Sequence, residues 1–238
     1  MNKTGIEWVR NPDGTPGYTL NPAFGCSRGC RYCYARRIAY GWKRKHYCEK
    51  CVRFEPHLHL ERLAQIERQR KPAGIFICSM GELFDPLLPA GGTEKILDAL
   101  ERAPRHRFYL LTKRTTIATM WFPANVWVGV TCDGRDRTFD DTLIDALAKA
   151  DVQGKRFISF EPLLGRTDVP DCTDWIIIGP QTGPGAVRPE IEWVEHLVEQ
   201  ADARRVPVFY KDKLMVAFPD IAVRQEMPEA RGAQATLF

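Results

Sequence analysis

The sequence predicts an α/β protein, an incomplete parallel (β/α)6 barrel with scope for a seventh strand. Three observations predict it. Short apolar runs rich in Ile, Val, Phe and Trp recur along the chain, the pattern of strands buried on both faces. Stretches with apolar residues at helical spacing lie between them, and such alternation builds a parallel sheet from βαβ units. Polar residues suited to chemistry fall just after the apolar runs, where parallel α/β folds collect their functional groups.

The elements follow in order. The first strand is placed around Thr19-Leu20, ahead of a cysteine-bearing loop. Residues 74–78 (Gly-Ile-Phe-Ile-Cys) form the second, closed by Ser79-Met-Gly-Glu82. Residues 107–112 and 126–131 follow, then 156–161, 174–179 and 206–210. Helices are expected at 93–102, where Ile96, Leu97, Ala99 and Leu100 share a face, at 140–150 and at 192–204. One barrel domain is read over 1–215, with a Cys/His-containing insertion at about 43–60. The extension at 216–238, polar and Ala/Gly-containing from about Arg224, is expected to be partly disordered.

A chain of 238 residues, 44% hydrophobic and 27% charged, has room for one large core. No apolar run approaches the roughly 20 residues of a membrane span, and the first residues lack the apolar core of a secretory signal. Eight cysteines in that setting favour reduced thiols and metal ligation over disulfides, so a cytoplasmic protein with no membrane association is expected. Residues 1–72 carry a balance of +9 and the remainder −5. Arg36-Arg37, Lys43-Arg44-Lys45 and Arg68/Arg70/Lys71 supply the excess, which reads as a nucleic-acid surface or as solvated helix faces.

The cysteines carry the sharpest signal. Cys26, Cys30 and Cys33 stand as C-x3-C-x2-C, with Tyr32 before the third. Three thiolates can hold three corners of a [4Fe-4S] cluster, whose irons usually take four cysteines. The remaining iron is then open to the amino and carboxylate groups of S-adenosylmethionine (SAM), and this spacing is the signature of radical SAM enzymes. A structural zinc site is the alternative, but such sites want four ligands and paired C-x2-C knuckles. Cys48-Glu-Lys-Cys51 is half of such a knuckle, with His46 adjacent. His57 or His59 would complete a second metal site, of which zinc is the candidate occupant; otherwise these are two surface thiols. Cys78 and Cys132 read as core thiols and Cys172 as incidental. Trp127 and Trp175 lie within strand runs and read as core, whereas Trp42 beside the basic run suits stacking on a base.

Several segments in order resemble one family. They are Gly5-Ile-Glu-Trp8, the cysteine loop through Ala35, Phe76-Ile-Cys-Ser-Met-Gly-Glu-Leu-Phe84 and Leu111-Thr-Lys-Arg114. Asn125-Val-Trp-Val-Gly-Val130, Phe160-Glu-Pro-Leu-Leu-Gly165, Asp174-Trp-Ile-Ile-Ile-Gly179 and Phe209-Tyr-Lys211 follow. Together they resemble a phage- and prophage-associated group of small radical-SAM-like proteins, distantly similar to spore photoproduct lyase, a DNA repair enzyme. Cys132-Asp133 stands where that group usually has Glu-Asn, and Gly179-Pro-Gln-Thr-Gly183 where it has Gly-Gly-Glu-Ser-Gly.

The resemblance implies a barrel of the radical SAM type. The cluster would cleave SAM reductively, with a one-electron donor such as flavodoxin or ferredoxin, and a nucleic acid or nucleotide would lose the hydrogen. Met80, Gly81 and Glu82 would then receive the methionine amino group, and Thr131 and Asp133 the ribose hydroxyls. The loop holding Gly179 and Gln181 would meet an adenine or a carboxylate. Glu161 ends an apolar strand and needs a partner there, so it pairs with Lys113 or Lys211 or touches substrate or SAM. Two readings stand beside this one: a non-catalytic nucleic-acid-binding protein with structural iron–sulfur or zinc, and an iron–sulfur sensor or electron carrier with a degenerate SAM site.

Overall fold

A computed structural model describes residues 1–41 and 47–228. Trp42, the basic run Lys43-Arg44-Lys45 and His46 lie outside the described residues, as do residues 229–238. Seven parallel strands form the centre: β1 (Tyr18–Leu20), β2 (Gly74–Ile77), β3 (Arg107–Thr112), β4 (Val126–Thr131), β5 (Arg156–Phe160), β6 (Trp175–Ile178) and β7 (Val208–Tyr210). They pair in chain order, and Asn2–Lys3 adds a short antiparallel strand outside β1, making a mixed sheet of eight. The fold is α/β with a mostly parallel central sheet.

Each strand divides its side chains between two apolar layers, as a period of two requires. One layer takes Ile75 and Ile77, Phe108 and Leu110, Val128, Ile158, Ile176 and Val208. Against it pack Ile96 and Leu100 of α2 (Gly92–Glu101), Leu143 and Leu147 of α3 (Arg137–Lys149), and Val194 and Leu197 of α4 (Ile191–Ala203). The opposite layer is aromatic: Phe76, Tyr109, Trp127, Phe157, Trp175 and Phe209, closed over by Trp8 and Val9 from the segment before β1. The Trp8 ring centroid lies 5.0 Å from Phe76, 5.6 Å from Tyr109 and 5.8 Å from Phe157. Such pairs add ~0.5–1.5 kcal/mol each beyond simple burial. Gly129 in β4 has a packing reason, because a Cβ there would lie 2.5 Å from the Phe157 ring.

The differences from the sequence expectation have local causes. Helix α3 begins a turn earlier than residue 140, since Asp136 caps it by accepting the Phe139 N–H at 3.0 Å. Strand β7 starts at Val208, because Pro207 has no N–H to give a ladder. Within the C-terminal extension, residues 224–226 return to the sheet: Tyr210 N–H donates to Arg224 O at 2.7 Å and Glu226 N–H to Val208 O at 3.0 Å. That covers the outer edge of β7, which would otherwise present unpaired backbone groups. Among the described residues, no helix is long and apolar enough to cross a membrane.

Candidate active site

The strand ends surround a cavity of about 470 Å3. Cys26, Cys30 and Cys33 line one side of it, Trp8 and Phe76 belong to the aromatic layer beneath, and Thr131, Ser159, Glu161 and Lys211 stand around the rest.

Backbone contacts set the cysteine loop against the end of β2. Gly25 N–H donates to Met80 O at 3.0 Å and Glu82 N–H to Gly25 O at 3.0 Å. Gly25 has φ +79°, and a Cβ there would overlap the Glu55 carbonyl, so only glycine fits. Ser27 N–H donates to Asp85 Oδ2 at 2.8 Å, and Arg114 pairs with the same oxygen at 2.9 Å. Burial alone would raise the Asp85 carboxyl, but these bonds hold it below its ordinary range. Further along, Cys26 Sγ accepts the Arg28 N–H and Cys33 Sγ the Arg36 N–H, each at 3.4 Å. The second contact caps α1 (Tyr34–Tyr40). Burial pushes the Cys26 thiol up to about 11, so a thiolate there needs a cation beside it.

The expected site residues separate into two groups. Gly81, Glu82, Lys113, Thr131, Glu161, Gln181 and Lys211 all line the cavity. Glu82 is buried: Oε1 accepts the Thr112 hydroxyl at 2.7 Å and Oε2 the Lys113 N–H at 3.2 Å. Burial still pushes its carboxyl above the usual range. Glu161 pairs with Lys211 at 3.1 Å, the second of its two expected cationic partners. Lys113 instead faces the Tyr32 ring at 5.7 Å, where burial pulls its ammonium down and the charges of Cys30 and Asp133 oppose that pull. Gln181 Oε1 accepts the Val187 N–H at 3.2 Å, which folds its loop back on itself.

Met80, Gly179 and Asp133 do other work. The Met80 carbonyl accepts from Gly25, and its side chain packs with Cys26 and Cys33 around Phe24. A Cβ on Gly179 would lie 2.7 Å from Lys211 Cγ, so this glycine makes room for the Glu161–Lys211 pair. Asp133 lines a neighbouring cleft of about 770 Å3. It accepts the Tyr32 hydroxyl at 2.9 Å and pairs with Arg135 at 3.1 Å. Burial opposes its ionisation, yet these bonds hold it below the ordinary carboxylate range.

Three cavity residues carry no sequence-level assignment. Glu7 Oε2 lies 2.7 Å from Lys211 Nζ, making the Glu161 pair a triad. Trp8 Nε1 and Ser159 Oγ are buried polar atoms with no hydrogen-bond partner among the described residues, and both residues line the cavity. A serine inside the apolar run of β5 was the available signal for Ser159; Trp8 precedes every parallel strand, and only its place in the Gly5–Trp8 segment marked it.

A second cluster adjoins the cysteine loop. Cys48, Cys51, His57 and His59 bring their ligand atoms within 4.8 Å of one another, a set that could hold a metal ion such as zinc. Both histidines named as possible partners of the Cys48/Cys51 pair are therefore in place. Among the described residues this quartet is the one group of three or more such ligands found close enough to hold a metal ion. Cys78 and Cys132 are buried, and Cys78 also borders the cavity.

A family model described as "Protein of unknown function (DUF5131)" matches residues 3–233. No curated protein and no solved structure matches the chain.

Proposed function

The chain belongs to the DUF5131 family, and we propose that it is a radical SAM enzyme built on an incomplete (β/α)6 barrel. The observation that carries this reading is one cavity bordered both by the cysteine triplet and by two buried polar atoms, Trp8 Nε1 and Ser159 Oγ, that find no partner among the described residues. Unpartnered buried polar groups are costly, and a polar ligand above the aromatic layer would satisfy them. Sequential strand pairing with helices on one face and an aromatic layer on the other is what a partial barrel requires.

Three thiolates from one loop suit a cluster with one open iron, whereas a structural zinc takes four ligands. A [4Fe-4S] cluster on Cys26, Cys30 and Cys33 would pass one electron to SAM, releasing methionine and a 5′-deoxyadenosyl radical that takes a hydrogen atom from substrate. The remaining residues bind, orient and exclude water. The Arg28 and Arg36 N–H groups steady two sulfurs, and the Lys113 ammonium sits within electrostatic reach of Cys30. The Glu7–Lys211–Glu161 triad offers charged groups of both signs to a zwitterionic amino acid portion, and Thr131 offers a hydroxyl.

For substrate we favour an anion, a nucleotide or nucleic acid. The cleft beside the cysteine loop is lined by Arg28, Arg31, Lys113, Arg114 and Arg135, which outnumber its three aspartates, Asp133, Asp136 and Asp140. The reductant would be a one-electron donor of the flavodoxin or ferredoxin class.

The test is anaerobic reconstitution with iron and sulfide, then SAM with dithionite and chromatography for 5′-deoxyadenosine. Wild type should produce it, and Cys30→Ala should lose both cluster absorbance and product. A fully loaded wild-type cluster that yields no 5′-deoxyadenosine and no spectral response to SAM would leave an iron–sulfur binding protein in place of the enzyme.

A further inference from the structure

The quartet beside the cysteine loop holds more information than its composition. His57 Nε2 lies 2.9 Å from His59 Nε2. Cys48 Sγ lies 3.3 Å from the former and 4.0 Å from the latter, and Cys51 Sγ 3.4 and 3.3 Å respectively. The far side of each ring settles where its proton sits. His57 Nδ1 is 2.7 Å from the Glu55 carbonyl oxygen, and His59 Nδ1 is 3.1 Å from Glu61 Oε1. A carbonyl and a carboxylate only accept, so each imidazole donates from Nδ1 and turns a bare Nε2 lone pair inward. Two facing lone pairs at that separation repel unless an electrophile stands between them. A shared proton would serve the two nitrogens and leave both sulfurs without a role. A divalent cation serves all four.

We propose that Cys48, Cys51, His57 and His59 bind one Zn2+ that staples the cysteine loop to the rest of the molecule. Two thiolates and two imidazoles are a tetrahedral zinc donor set, too soft for calcium or magnesium. Four protein ligands leave no open position, so the ion is structural. The acceptors behind both rings are the supports that metal-bound histidines use to fix orientation. Cys48-x2-Cys51 has knuckle geometry: the Cys51 N–H donates to Cys48 Sγ at 3.4 Å, and Phe54 turns the chain out at φ +56°.

The staple acts through short covalent paths. Phe24 pairs with His57, and Ala23 with Leu58, as a two-residue antiparallel ladder. Phe24 is two residues before Cys26, whose N–H donates to Phe54 O at 3.4 Å. Cys51, Phe54 and Phe24 share a small apolar cluster with Ala35 and Ala39, and Cys26 and Cys33 pack on it. An insertion this small builds little core of its own, and a metal supplies the missing folding energy. The zinc assignment is independent of what the triplet binds.

The test uses the full chain with Cys26, Cys30 and Cys33 all replaced by Ala, so that metal can bind only elsewhere. It should purify with one Zn2+ per chain, and Co2+ exchanged into it should show tetrahedral d–d bands with thiolate charge transfer. Adding Cys48→Ser or His59→Ala should abolish both signals. Failure of the triple variant to bind Zn2+ or Co2+ above the level of the Cys48→Ser version overturns the site. If the triple variant does not fold, zinc-edge X-ray absorption on the intact protein decides, with two sulfur and two nitrogen ligands expected and any other set counting against it. Hydrogen exchange reads the staple: stripping zinc should speed exchange in residues 24–33, and unchanged protection there removes the positioning role.

Discussion

Lys211 Nζ lies 2.7 Å from Glu7 Oε2, which joins the segment before β1 to the residue just after β7. The same ammonium meets Glu161 at 3.1 Å, so one cation serves two carboxylates in a largely buried wall. Burial alone would raise Glu7, but the Lys211 bond and charge hold it below its ordinary value. A depressed carboxylate gives stability above its unfolded pKa, lost as pH falls through the folded one. Lys211→Met should therefore cost about 1–3 kcal/mol at neutral pH, less than a fully buried pair because the wall keeps some solvent contact. The gap should narrow in acid as Glu7 protonates. Urea unfolding measures both, and equal midpoints for wild type and variant at neutral pH would show that the triad contributes nothing.

Trp8 is the keystone of the aromatic layer, and its two halves make separable predictions. Trp8→Ala removes a ring packed on Phe76, Tyr109, Phe157 and Trp175 and should cost ~3–5 kcal/mol. Trp8→Phe keeps most of that packing and deletes an N–H that has no protein partner. Its stability loss should be smaller by half or more. If that N–H serves a ligand in the cavity, the same Trp8→Phe variant should bind SAM about tenfold more weakly by calorimetry, the effect of one lost hydrogen bond of ~1.4 kcal/mol. Unchanged affinity would remove Trp8 from the site and leave it a packing residue.

Six of the seven central strands were legible because burial on both faces writes apolar runs that need no partner information to read, whereas β1, only partly buried, was placed by its position ahead of the cysteine loop. Helices α2 to α4 were legible from their apolar faces. Helix α1 and the short helix Glu49–Arg53 were not, because thiols cap both: Cys33 accepts from Arg36, and Cys48 from Cys51. Cysteine is no ordinary helix-start signal. The cysteine motifs themselves were readable from spacing, and the approach of His57 and His59 required only a short reversal of chain. Trp8 and Glu7 were opaque because their partners come from strands far along the sequence. Part of the charge excess has partners within the fold, since Arg36 reaches Cys26 O and the Phe54 ring while Arg37 reaches Thr182 O. Those two arginines tie the cysteine loop to its neighbours.

Gly25 is a position where a single methyl should disturb the site more than the fold. Its φ of +79° and its approach to the Glu55 carbonyl both exclude a side chain. Gly25→Ala would lift the loop from Glu55 and Met80 while leaving the seven-strand core intact. Far-ultraviolet circular dichroism should change little, and iron content after reconstitution should fall several-fold. Full iron loading by the variant would show that the loop tolerates displacement.

Asp140 supplies a pH signature that one substitution isolates. The residue is buried, and burial pushes its carboxyl up to about 6 from an ordinary 3.8, with the neighbouring Asp133 charge adding to the rise. The Gly134 N–H, donating to Oδ2 at 2.8 Å, offsets only part of this. Between those two values the unfolded chain has released its proton while the folded one retains it. Stability then falls as pH rises through that window, and is level above it. Asp133 and Glu7 titrate in the opposite sense, so the wild-type profile alone mixes contributions. Asp140→Asn keeps an oxygen to accept from Gly134 and carries no proton to lose. The difference in unfolding free energy between variant and wild type should therefore climb by about 1–3 kcal/mol from pH ~4 to pH ~6 and stay constant beyond. Urea midpoints across that range give the curve, and a flat difference would show that Asp140 is ionised in the folded protein throughout.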